Sequence, residues 1–231
     1  MSIYREELLL RSKDVDMFRR LRTSELFRLL QEASIRHTEQ LGMGREKTLD
    51  KGVLWVLLMQ RAEIARMPEY DERIVLKSWP GKTMHLLFPR FYAMETAEGE
   101  PLLKASALWS LVDEKTRKVV FPEKYGIVID GTVTGGEIAM PGAVAKADCA
   151  FERDFTVPYS FVDLNGHMNN TRYFDLAEDS VINTDTAIDS MGFVLVICKL
   201  EALFDVRIPE RQWQKLQTLG DVVDAICKRL K

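Results

Sequence analysis

The chain has 231 residues, 46% of them hydrophobic, and carries a formal net charge of −3 with a pI near 5.8. That length allows one large or two small domains, and the charge argues against a nucleic-acid or anionic-membrane partner. The charged N-terminus MSIYREELLLRSKD lacks a signal-peptide core, and the apolar run from Met191 to Cys198 is far short of the roughly 20 residues a membrane span needs, so a cytoplasmic protein with no membrane partner is expected.

In chain order, Tyr4 to Leu10 reads as a strand, and the charge-rich SKDVDMFRRLR after it reads as a solvated turn. A helix is predicted from about Thr23 to Leu41. Leu26, Phe27, Leu29, Leu30, Ala33 and His37 recur at helical spacing, with Thr23 or Ser24 as N-cap and Gly42 as stop. On that apolar face His37 is expected in the core. From Val53 to Pro122 the texture becomes strand-like: LWVLLMQRAEIAR, ERIVLKSWPG, MHLLFPRFYAMET and LLKASALWSLVDEKTRKVVF, separated by turn signals at Met67-Pro68, Pro80-Gly81, Glu98-Gly99 and Asp113-Glu114. His85 falls in the third of these runs. One long helix with an antiparallel sheet around it is an α+β arrangement. Residues 123–147, rich in Gly, Ala, Thr and Pro, read as a linker.

The pattern then restarts at an offset of 147 positions. Asp16 aligns with Asp163, Thr23 with Asn170, Phe27 with Phe174 and Gln31 with Glu178, so the chain holds an internal repeat of strand, turn and helix. In this register Asn165 faces Phe18 and His167 faces Arg20. The full set Asp163, Asn165 and His167 therefore exists only in the second copy, which favours chemistry over simple turn formation. No counterpart of the four long strands follows Val181. Met191, Val194, Leu195, Cys198, Leu200 and Leu203 instead suit an amphipathic helix, and TLGDVVDAICKRL suits a closing one. The divisions read from this are a first unit at 1–122, the linker at 123–147, a partial second unit at 148–182 and a helical segment at 183–231.

Asn169, Asn170 and Thr171 are N-cap candidates for a helix through Tyr173, Leu176, Ala177 and Val181. A helix N-terminus can polarise a carbonyl oxygen. Just upstream, His167 can move a proton near neutral pH, Asn165 can hold a water or a carbonyl, and Asp163 can orient either. The plain alternative is an Asx-rich turn carrying a surface histidine. Cys149, Cys198 and Cys227, odd in number and widely spaced, read as reduced, buried thiols and not as a disulfide, a metal site or a nucleophile. Trp55, Trp79 and Trp109 read as core, with one a candidate for lining a ligand tunnel.

The stretch DLNGHMNNTRYFDLAED resembles the signature of the acyl-acyl carrier protein thioesterases, which are tandem hotdog-fold enzymes. WVLL from Trp55, SWPG from Ser78, the pair Arg90-Phe91, and LWSLVDEKTRKVV from Leu108 are also similar to that family, over about residues 2 to 181. The resemblance implies a hotdog fold whose first unit shapes the acyl pocket, and thioester hydrolysis carried out by Asp163, Asn165 and His167 without a metal or cofactor. The implied partner is an acyl carrier protein bearing a fatty acyl chain. In that family a further acidic or cysteine residue comes from a later strand, and the role is not carried over to Glu201. Asp189-Ser190-Met191 resembles the attachment site of an acyl carrier protein, which implies phosphopantetheine on Ser190. The rival expectations are a non-catalytic carrier or acyl-binding module, or an inactive recombined product. An incomplete second unit leaves strand edges unpaired, so either a tight homodimer or an aggregation-prone monomer is also expected.

Overall fold

The structure is a computed structural model that describes residues 3–16, 18–132, 138–142 and 154–181, together with positions 208, 209, 225, 228 and 229. It divides into two compact units, 1–171 and 172–231. The first unit holds β1 (Tyr4–Leu9), α1 (Thr23–Gln40), β2 (Val53–Ile64), β3 (Arg73–Pro80), β4 (Phe88–Thr96) and β5 (Pro101–Asp113). The strands form one antiparallel sheet in the order β1-β3-β4-β5-β2. The four long strands occupy the predicted runs, trimmed at their ends.

α1 buries the face that its spacing predicts. Leu26, Leu30 and Ala33 are fully enclosed, and Phe27 is nearly so. Against this face the sheet presents alternate residues of β4, namely Phe88, Arg90, Tyr92 and Met94, all buried. The Tyr92 hydroxyl lies 2.6 Å from Ser34 Oγ, which itself donates to the Leu30 carbonyl at 2.8 Å. Tyr92 is therefore the donor in that pair. Arg36 on α1 pairs with Glu6 on β1, which ties the helix to the far edge of the sheet.

The N-cap position of α1 is Arg22, in extended conformation and without a side-chain cap, and not Thr23 or Ser24. The entering chain is held instead by Arg22 N–H donating to the Asp14 carbonyl at 3.0 Å, so backbone pairing takes the place of a capping side chain. At the other end Gly42 N–H bonds to the Glu39 carbonyl and Met43 N–H to the Thr38 carbonyl, the paired closure that an αL residue after a helix allows.

Two further expectations are corrected. His85 is not in a strand. It sits in the turn between β3 and β4 with φ +53, where Met84 and Leu87 pair across it. The start of the expected linker is packed against the first unit: Ile127 and Ile129 are buried, Thr83 N–H bonds to the Ile129 carbonyl, and Thr132 N–H to the Pro80 carbonyl. Gly131 permits this approach, because a Cβ there would lie 2.5 Å from the Lys82 backbone nitrogen.

Of the second unit, α2 spans Arg172–Val181, with Arg172 and Asp175 paired at 3.0 Å. Arg229 Nη1 donates to the Ala225 carbonyl at 2.6 Å. Ser190, Cys149, Cys198, Cys227 and the helices expected between Asp189 and Leu230 lie outside the described residues, the five isolated positions apart.

His37, on α1, is fully enclosed beside Tyr4, their ring centroids 5.9 Å apart. Burial, reinforced by the positive charge of Arg90, lowers its pKa from 6.5 to about 4. The neutral ring is therefore favoured in the fold, while the unfolded chain takes up the proton first as pH falls. Stability from this group is fully present above pH 6.5 and is lost as pH drops from 6.5 towards 4. We expect a loss on the order of 2 kcal/mol over that window, discounting the full shift for screening. Urea unfolding of the wild type and of His37→Leu across it checks this: the variant should lack that part of the slope.

Candidate active site

The internal repeat is visible in backbone hydrogen bonds. In the first copy Asp14 N–H bonds to the Arg11 carbonyl, Val15 pairs with Leu21, Asp16 N–H bonds to the Arg20 carbonyl and Arg22 N–H to the Asp14 carbonyl. In the second, at the same offset of 147, Phe161 N–H bonds to the Pro158 carbonyl, Val162 pairs with Met168, Asp163 N–H bonds to the His167 carbonyl and Asn169 N–H to the Phe161 carbonyl. Both are three-residue hairpin loops closed by a left-handed residue. That residue is Arg19 with φ +64 in the first copy and Gly166 with φ +73 in the second, where glycine adopts the conformation without strain.

This equivalence separates the roles within the polar set. Asp163 Oδ1 accepts from Asn165 N–H at 2.8 Å, as Asp16 Oδ1 accepts from Phe18 N–H at 2.8 Å and from Arg20 N–H at 2.9 Å. The carboxylate is thus a turn-former in both copies. Asn165 and His167, in place of Phe18 and Arg20, are the positions where the second loop gains groups suited to hydrolytic chemistry. Downstream, Asn169 Oδ1 accepts from the Thr171 N–H at 2.9 Å and from the Thr171 hydroxyl at 2.8 Å, which fixes the amide at the end of the loop.

The second loop forms part of the wall of a cavity of about 240 Å³. Asp163, Leu164, Asn165 and Asn169 line it together with Gln31 and Ile35 of α1. The sheet contributes Leu54, Trp55, Phe88, Arg90 and Trp109. Trp55 stands edge-on to Phe88, with ring centroids 4.8 Å apart and planes at 83°. Of the tryptophans read as core, Trp55 and Trp109 therefore line the cavity, whereas Trp79 packs beside Phe91 with ring centroids 6.2 Å apart. The wall joins apolar rings and aliphatic groups to the carboxamides of Asn165 and Asn169 on one loop and of Gln31 on α1, an arrangement that can hold an acyl chain with its carbonyl near Asn165. His167 belongs to the same loop, but its side chain is exposed and does not line the cavity.

Two lining residues escaped the sequence reading as site residues. Gln31 occupies an ordinary helical position, and nothing in its neighbours marks it. Arg90 had a visible signal: a charge at an inward position of a strand whose other inward residues, Phe88, Tyr92 and Met94, are apolar or aromatic. Its guanidinium is buried, and burial holds it below its ordinary pKa range. Among the described residues no group of three or more His, Cys, Asp or Glu side chains is placed to hold a metal ion.

A single helix enclosed by an antiparallel sheet of five strands, with its cavity between them, is a hotdog fold, the α+β class expected. The chain belongs to the acyl-ACP thioesterase family, whose N-terminal domain matches residues 1–124 and whose C-terminal domain matches residues 144–189. The chain is similar to an acyl-[acyl-carrier-protein] hydrolase of Cuphea viscosissima, 20% identical over 186 residues, covering 74% of this chain and 45% of that protein. It is also similar to the dodecanoyl-[acyl-carrier-protein] hydrolase of Cinnamomum camphora, 22% identical over 194 residues, covering 78% and 51%. The chain thus spans about half the length of these plant relatives. A 70-residue stretch, 30% of the chain, is 30% identical to the acyl carrier protein of Porphyromonas gingivalis and covers 90% of it. Among solved structures, an acyl-ACP thioesterase from Bacteroides thetaiotaomicron superposes with TM-score 0.59 at 22% identity, covering 80% of this chain and 77% of that one. The 12:0-ACP thioesterase from Umbellularia californica gives 0.61 at 19%, covering 80% and 78%.

Proposed function

We propose that the chain hydrolyses fatty-acyl thioesters of acyl carrier protein and releases the free fatty acid. The observation that carries this reading is the placement of Asn165, on the loop that differs chemically from its repeat partner, in the wall of the largely apolar cavity. In the reaction a water oxygen bonds to the acyl carbon and the carbon–sulfur bond breaks. For this step the exposed His167 side chain turns towards the cavity and takes the water proton, which ends on the departing thiol. Asn165 holds the water or the thioester carbonyl, and Asp163 acts as a positioning residue that keeps the Asn165 backbone in place. Incubating the full chain with acyl-loaded carrier protein and counting the free thiol released tests this directly.

The reading also includes a cytoplasmic location, and no described helix is long and apolar enough to cross a membrane. A homodimer is part of it too. On the far side of β2 from β5 no described strand pairs, and Leu58, Met59 and Ile64 are exposed on this edge strand. Beyond residue 182 the reading assigns a carrier-like segment with phosphopantetheine on Ser190, supported by Asp189-Ser190-Met191 and by the acyl carrier protein similarity. A permissive phosphopantetheinyl transferase should then add one arm to the wild type and none to Ser190→Ala, as read by intact mass. An unchanged wild-type mass would remove this assignment and leave the hydrolase reading standing.

A further inference from the structure

The cavity is less apolar than a plain hydrocarbon chain requires. Four of its lining side chains hold enclosed polar atoms with no hydrogen-bond partner among the described residues: Arg90 Nη1, Trp55 Nε1, Trp109 Nε1 and Gln31 Oε1. Arg90 is 5% exposed, and no described carboxylate pairs with it. It is built into the sheet and does not reach in from the surface. Across the ladder it faces Ala107, whose small side chain leaves the guanidinium room above the sheet. A saturated acyl chain would satisfy none of these groups, and an enclosed polar group left without a partner is costly, most of all a charged one.

We propose that this cavity selects acyl groups that carry an oxygen function on the chain, a hydroxyl, keto or carboxylate oxygen received by the unpaired Arg90 guanidinium, over unsubstituted chains of the same length. The proposal rests on the reading of the cavity as an acyl pocket and names the substrate class of that pocket. The oxygen can lie near the thioester or at the far end of the chain, and the chemistry that receives it is the same.

Binding of hydrolysis-resistant S-alkyl pantetheines to the full chain, followed by calorimetry, separates these questions from turnover. Three probes of equal chain length are compared: unsubstituted, 3-hydroxy and ω-carboxy. At least one oxygenated probe should bind about tenfold or more tighter than the unsubstituted one, as a hydrogen bond to a charged group allows. Which of the two wins locates the oxygen along the cavity. In Arg90→Met, checked for an unchanged fold by circular dichroism, the ratio should fall to near one. Equal or weaker binding of both oxygenated probes to the wild type overturns the proposal alone, as does a preference that survives in Arg90→Met. If Arg90→Met does not fold, the wild-type ratio decides. Failure of all three probes to bind refutes the acyl-pocket reading and the proposal together.

Discussion

Replacing His167 with alanine should lower turnover of an acyl-carrier thioester by about 10²–10⁴-fold, the usual contribution of a positioned proton-transfer group. The side chain is exposed and enters no hydrogen bond among the described residues; only its backbone carbonyl closes the loop, by accepting from Asp163 N–H at 2.8 Å. Alanine keeps that carbonyl, so the melting temperature should not move with the rate. Asn165→Ala should also lower turnover while sparing the fold, because the loop is held through the Asn165 backbone N–H and not through its amide. Asp163→Ala should behave differently. It removes the acceptor that holds the loop, so activity and local order should fall together, as they would not for a residue acting only on the substrate. Steady-state rates and thermal melts on the three variants check this. An unchanged rate in both His167→Ala and Asn165→Ala would reduce the loop to a plain turn.

The largest expected effect on stability comes from the centre of α1. Leu30 is fully enclosed, as are Leu26 and Ala33 on the same helix and Leu76 and Tyr92 in the sheet, all at 0% exposure. Leu30→Ala removes buried hydrocarbon and opens a void, at a cost of about 2–5 kcal/mol. The Ser34 hydroxyl also donates to the Leu30 carbonyl, but alanine keeps that acceptor, so the loss is one of packing. Each kcal/mol is worth roughly 2–4 °C for a chain of this size, so the melting temperature should fall by about 5–20 °C. Leu29, on the other side of the helix stripe and only half-buried, should cost clearly less when truncated. Comparable losses at both positions would contradict the packing of α1 described above.

The helix and the long strands were legible because each rests on a local period. The 3.6-residue spacing of Leu26, Leu30, Ala33 and His37 and the alternation along β4 are both properties of a few adjacent residues. His85 and the N-cap were not legible for the same reason. His85 lies in a run of apolar neighbours, and only pairing of Met84 with Leu87 makes it a turn. The entry to α1 is fixed by a backbone bond from Arg22 to Asp14, which no side-chain signature announces. The repeat was readable from the aligned pairs that run from Asp16 and Asp163 to Gln31 and Glu178, but its meaning was not. Only the matched hydrogen bonds show that the aspartate serves the turn in both copies, which leaves Asn165 and His167 as the candidates for chemistry. Gln31 and Arg90 reach the cavity through contacts between α1 and β4, elements some fifty residues apart in the chain, a distance at which periodicity says nothing.

The central claim, hydrolysis at this cavity, is tested most directly by the wild-type chain itself. Medium-chain acyl carrier protein is incubated with it, and free thiol and free fatty acid are both quantified against the buffer control. The account predicts thiol and acid released in equal amounts, at a rate proportional to the concentration of the chain and far above the control. An acyl thioester that stays intact while it binds to the chain would contradict hydrolysis and make the cavity an acyl-binding site only.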